Sequence, residues 1–77
     1  MPKKLLTSIG QAIRQVREDR QISQETLAAA AGLDRSYVSS VENGKRNVSI
    51  ENLNRIAVGL GVSMTEVMQL AEDRLSK

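Results

Sequence analysis

Apolar residues recur every three or four positions along almost the whole chain, and each run is bounded by residues that start or stop a helix. Leu6, Ile9, Ile13 and Val16 form the first stripe, which predicts an amphipathic helix ending near Arg20. Ser23 then stands where an N-cap is needed, ahead of the strong helix formers Gln24, Glu25, Leu27 and Ala28 to Ala31. Gly32 stops that run where a left-handed cap costs glycine nothing. Asp34 is placed to cap a third helix that carries Tyr37, Val38 and Val41 inward and meets Asn43-Gly44. Ser49 caps a fourth, with Ile50, Leu53, Ile56, Ala57 and Leu60 on its apolar side and Gly61 closing it. Ser63 and Glu66 have capping-box spacing for a fifth, whose stripe is Met64, Val67, Met68, Ala71 and Leu75. No stretch alternates for long enough to suggest a strand. The expected fold is therefore an all-α bundle of five short helices, with residues 1–77 forming one domain. Met1 to Lys4 and the last two or three residues are expected to be disordered ends.

Composition narrows the chemistry. The 77 residues contain neither Cys nor His, so a disulfide framework, a thiolate metal site, the commonest metal ligand and the commonest general base are all missing. No phosphate-binding glycine loop appears, and the reading is of a protein that is not an enzyme and has no metal or cofactor. No apolar run approaches the roughly 18 residues needed to span a bilayer, and the N-terminus has basic residues without an apolar h-region. A cytoplasmic protein with no membrane partner is expected. Charge is mildly basic, 11 Lys+Arg against 9 Asp+Glu, but unevenly spread. Residues 1–46 hold eight basic and five acidic side chains, and residues 47–77 hold three and four. That bias suggests one side facing a polyanion and a near-neutral remainder.

The informative block runs from Gln24 to Asn43, QETLAAAAGLDRSYVSSVEN. Two short helices joined by a three- to four-residue turn containing glycine define a helix-turn-helix. Ala28 is small enough for the second helix to cross close over the first, and Gly32 permits a positive φ at the corner. Val38 and Val41, three apart, face the first helix and lock the crossing angle. The N-terminal residues of such a second helix reach base edges in the major groove, where arginine suits guanine best. A lone aromatic, Tyr37, is too few for the stacking platforms that bind single strands.

From SQETLAAAAGLDRSYVSSVENGKRNVSIENLNRIAVGLGVS the chain resembles the phage-repressor-type, XRE-like helix-turn-helix DNA-binding domains, over roughly residues 9 to 68. Within that family the run LDRSYVSSVENGKRNVS is most similar to controller proteins of restriction–modification systems. The resemblance implies a five-helix, lambda-repressor-like bundle with its helix-turn-helix at about 24–43. It places base readout on Arg35, Ser36 and Ser40, although each serine is equally a phosphate ligand or a residue small enough for close approach. Gln24 and Asn43 match residues that clamp phosphates on either side of the groove. Ser39, Lys45, Arg46 and Asn47 complete the candidate backbone or groove contacts. Arg46 reaches a phosphate or the minor groove on one reading and is a solvated loop charge on the other. Tyr37 is either a groove-side ring near a thymine methyl or phosphate, or a half-buried anchor. The resemblance also implies that Arg17 and Glu42 form a structural ion pair holding the reading helix against the bundle.

A two-fold DNA site needs two reading heads about 34–36 Å apart, one turn of B-DNA. A homodimer through residues of about 53–71 is therefore expected, with Leu53, Ile56, Val67 and Met68 at its interface. The function implied is a transcriptional regulator binding a pseudo-palindromic double-stranded operator, as a restriction–modification controller of its own promoter, with RNA polymerase as a candidate partner. The alternative is an antitoxin-type or other protein-interaction module on the same fold.

Overall fold

Five α-helices form in the computed structural model, which describes residues 2–76: α1 Lys3–Asp19, α2 Gln24–Ala31, α3 Arg35–Glu42, α4 Ile50–Leu60 and α5 Met64–Leu75. There is no strand among the described residues. Ser23 Oγ accepts from the Thr26 N–H at 3.0 Å, and Ser49 Oγ accepts from the Asn52 N–H at 3.0 Å. Ser63 and Glu66 close the full capping box. Gly32 and Gly61 take the left-handed conformation just past α2 and α4. Asp34 occupies the cap position of α3 with extended backbone, yet its carboxylate makes no cap hydrogen bond.

The helices meet in a core of Ile9, Ile13, Leu27, Val38, Val41, Leu53, Ile56, Leu60 and Val67, each at most 3% exposed. α1 lies along α5 and crosses α3, while α2 packs on α4 and α3. The face of α3 holding Val38, Val41 and Glu42 is thus spent on the interior, and its other side is left free.

Three expectations are corrected. Lys3 and Lys4 belong to α1, which starts directly after Pro2; the Leu6 N–H donates to the Pro2 carbonyl at 3.1 Å. Ser76 is likewise ordered enough to cap α5, and the parts of that expectation falling on Met1 and Lys77 lie outside the described residues. Ile50, in phase with the apolar side of α4, is 72% exposed because it stands in the first turn, beyond the reach of the helices that cover Leu53 and Ala57. On α5 only Val67 and Ala71 are buried; Met64 and Met68 are half-buried, and Leu75 is 42% exposed at the helix end.

Gly10 decides how closely α3 approaches α1. A Cβ built there would lie 2.6 Å from the Glu42 carbonyl oxygen and closer still to that of Val41. These are backbone atoms in a neighbouring helix, so no rotamer change relieves the clash. Glycine in mid-helix costs about 1 kcal/mol in propensity; here the backbone contact outweighs it. Gly10→Ala is expected to destabilise the fold by about 2 kcal/mol despite the better helix former. A thermal melt should show Tm falling by about 10 °C.

Candidate nucleic-acid interface

The end of α3 is fixed by a buried ion pair. Arg17 on α1 donates from Nε to Glu42 Oε2 at 2.7 Å and from Nη2 to Oε1 at 3.0 Å. Its remaining Nη1 donates to the Ile22 carbonyl at 2.8 Å, in the turn leading to α2. Arg17 and Glu42 are 8% and 4% exposed. The hydrogen bonds to Glu42 hold the Arg17 guanidinium charged, raising its pKa against the opposing effect of burial. The pairing that the family resemblance implies for these two residues is present as an ion pair in the geometry.

From Glu42 the hydrogen bonds continue outward. Gln24 Nε2, in the first turn of α2, donates to Glu42 Oε1 at 3.1 Å. Gln24 Oε1 in turn accepts from Arg35 Nη1 at 3.3 Å. The amide, expected to hold a phosphate, is engaged at both ends: it spans the 18 residues to Glu42 and steadies the exposed Arg35. Arg35 is thereby tied through two side chains to the core, which limits the rotamer entropy it loses on ordering.

Arg35, Ser36, Ser39, Ser40 and Asn43 lie along the side of α3 away from the core, with Ser39 and Ser40 half-buried. Lys45, Arg46 and Asn47 are exposed in the loop to α4. Tyr37 is half-buried and packs against the core edge. Its Oη accepts from Asn52 Nδ2 of α4 at 3.1 Å, and the Arg46 guanidinium sits 5.0 Å above its ring centroid. A cation over an exposed ring contributes about 0.5–1 kcal/mol. Reasoning from sequence missed Asn52. It stands three residues after its cap residue, and only the return of the chain through the Asn43–Ser49 loop brings the first turn of α4 to Tyr37.

Of the residues expected at a dimer interface, Leu53, Ile56 and Val67 are 3%, 0% and 0% exposed. Ile56 and Val67 are covered by this chain's own core and present no surface to a second copy, and Leu53 shows only an edge. Met68 is the most open of the four, half-buried in a cleft of about 340 Å³ that it lines with Ile50, Leu53, Met64, Thr65, Gln69 and Glu72. The exposed apolar residues in this half of the chain are Ile50 at the start of α4, Val58 near its end and Leu75 at the end of α5, with Met64 and Met68 half-buried on the α5 flank. Among the described residues no cluster of acidic side chains is arranged to hold a metal ion.

The helix-turn-helix family model matches residues 13–67, from the core of α1 to the core of α5. The chain belongs to the XRE-like helix-turn-helix family of DNA-binding regulators. Within this family it is 48% identical over 59 residues to the control protein C.MunI of a Mycoplasma species, covering 75% of this chain and 80% of that one. The crystal structure of the restriction–modification controller C.AhdI from Aeromonas hydrophila is 47% identical, with a TM-score of 0.79. That match covers 80% of this chain and 94% of C.AhdI. The controller C.Esp1396I, solved as a tetramer with its natural 35 base-pair operator, is 33% identical with a TM-score of 0.88, covering 95% of this chain and 96% of that one. No described helix is long and apolar enough to cross a membrane.

Removing one member of the buried pair leaves an uncompensated charge. Arg17→Ala is expected to cost about 3–5 kcal/mol, while Arg17→Met combined with Glu42→Leu recovers most of that loss. Chemical denaturation of the three proteins side by side checks it. Equal stability of Arg17→Ala and wild type would show that the pair is not structural.

Proposed function

We propose that this chain is a controller of restriction–modification genes that binds an operator in its own upstream DNA as a homodimer. The observation that carries the reading is the division of α3. Val38, Val41 and Glu42 anchor one side, while Arg35 and Ser36 are exposed and Ser40 half-buried on the other, with Arg35 hydrogen-bonded to Gln24. A rigid helix with a polar, uncommitted face is what insertion into the major groove requires. The family supports DNA as ligand, and relatives named as control proteins favour a regulator over the antitoxin-type module.

In this reading Arg35 donates to guanine O6 and N7, and Ser36 and Ser40 read or closely approach neighbouring bases. Ser39, Tyr37, Asn43, Lys45, Arg46 and Asn47 contact phosphates or the groove wall, fixing register and making affinity fall with salt. The partners are a pseudo-palindromic double-stranded operator and a second copy of the chain, with RNA polymerase as a further partner at the promoter and the cytoplasm as location. No catalytic step and no cofactor is assigned. The second copy docks on the cleft of Ile50, Met64 and Met68, which Leu53 also lines, rather than on the buried Ile56 and Val67.

Fluorescence anisotropy against a duplex of the native upstream region, with a scrambled duplex beside it, tests the function at two salt concentrations. Binding at least about a thousand-fold tighter to the native duplex is expected; equal, salt-sensitive binding to both would overturn it. Arg35→Ala should lose about 1–3 kcal/mol of discrimination at one guanine with the fold intact. Ile50→Asp should sediment as a monomer with its helical circular dichroism unchanged, whereas a persistent dimer would move the interface elsewhere.

A further inference from the structure

Tyr37 is held from two sides, by Arg46 of the loop before α4 and by Asn52 of α4, a residue with no part in the contacts proposed above. Asn52 stands in the first turn of α4, its own backbone N–H fixed by Ser49 Oγ at 3.0 Å. Its side-chain amide donates to Tyr37 Oη at 3.1 Å. Arg46 lies over the ring at 5.0 Å. A phenol carries one proton and accepts through its lone pairs. When the amide fills an acceptor site, the hydroxyl proton stays free and is turned away from Asn52. The ring beneath it is kept from swinging by the guanidinium on its face and by the core edge against which it packs.

We propose that Asn52 is a positioning residue for DNA recognition: with Arg46 it clamps Tyr37 so that the hydroxyl proton is presented to the duplex. The acceptor is a phosphate oxygen or a base carbonyl on the flank of the groove beside α3. Preorganising the ring removes ordering cost that binding would otherwise incur. The proposal rests on the operator-binding reading above and adds to it a residue on α4, outside the helix-turn-helix.

The chain offers a direct probe, because Tyr37 is its single aromatic residue and intrinsic fluorescence reports that ring alone. In the free protein, Asn52→Ala and Arg46→Ala should each lower the steady-state anisotropy of Tyr37 fluorescence while leaving Tm within a few degrees of wild type. Unchanged anisotropy in Asn52→Ala would overturn the clamp. On the native duplex, Asn52→Ala should weaken binding about five-fold. It should leave the salt slope unchanged, because no charge is removed. In the Tyr37→Phe background the same change should have no further effect. Equal loss in both backgrounds, or no loss in either, would show that Asn52 does not act through Tyr37. A wild-type protein that fails to prefer its native duplex would instead remove the function reading, and the fluorescence comparison would still decide whether the clamp exists.

Discussion

The Glu42 carboxylate accepts hydrogen bonds from α1 through Arg17 and from α2 through Gln24, at the point where α3 ends. A charge in a domain this small is tolerated inside only when its partners are complete, because desolvation costs several kcal/mol per ion. That requirement makes the pair directional. Apolar contacts such as those of Val38 and Val41 hold α3 against the bundle but would tolerate sliding or rotation. Two-pronged arginine geometry does not. With Gly10 letting the α3 carbonyls rest on the α1 backbone, the helix is fixed in distance by one feature and in rotation by the other.

The same carboxylate connects interior to surface. Arg17, Glu42, Gln24 and Arg35 form an unbroken series of hydrogen bonds from a residue 8% exposed to one fully at the surface. On the other flank of α3, Asn52 and Arg46 fix Tyr37 from α4 and its preceding loop. The reading helix is therefore steadied at both flanks by side chains from other elements. This arrangement gives an eight-residue helix, too short to be stable alone, a defined orientation.

Local rules carried the sequence reading a long way. Serine caps and left-handed glycines act within four residues of the backbone they satisfy, so Ser23, Ser49, Ser63, Gly32 and Gly61 were placed from the chain alone, and likeness to a known family added the Arg17–Glu42 pair. What failed depended on distant geometry. Ile50 has the phase of a core residue, and only the end of its packing partners exposes it. Leu53, Ile56 and Val67 were expected at a dimer interface because a two-fold site needs a second copy, and periodicity does not say whether a stripe faces the same chain or another. Gly10 and Asn52 carry no local signal, since each matters through an atom more than ten positions away.

The division of α3 has a bearing on how such proteins diverge. Residues that set the helix in place, Val38, Val41 and Glu42, are separate from those that face outward, Arg35, Ser36 and Ser40. Substitution on the outward side removes almost no buried contact, so it draws little on a small domain's stability margin. On the proposed role of Arg35, Ser36 and Ser40, a duplicated copy of this chain can therefore drift toward a new operator one side chain at a time, each intermediate still folding. Recognition is free to change because the scaffold beneath it is not.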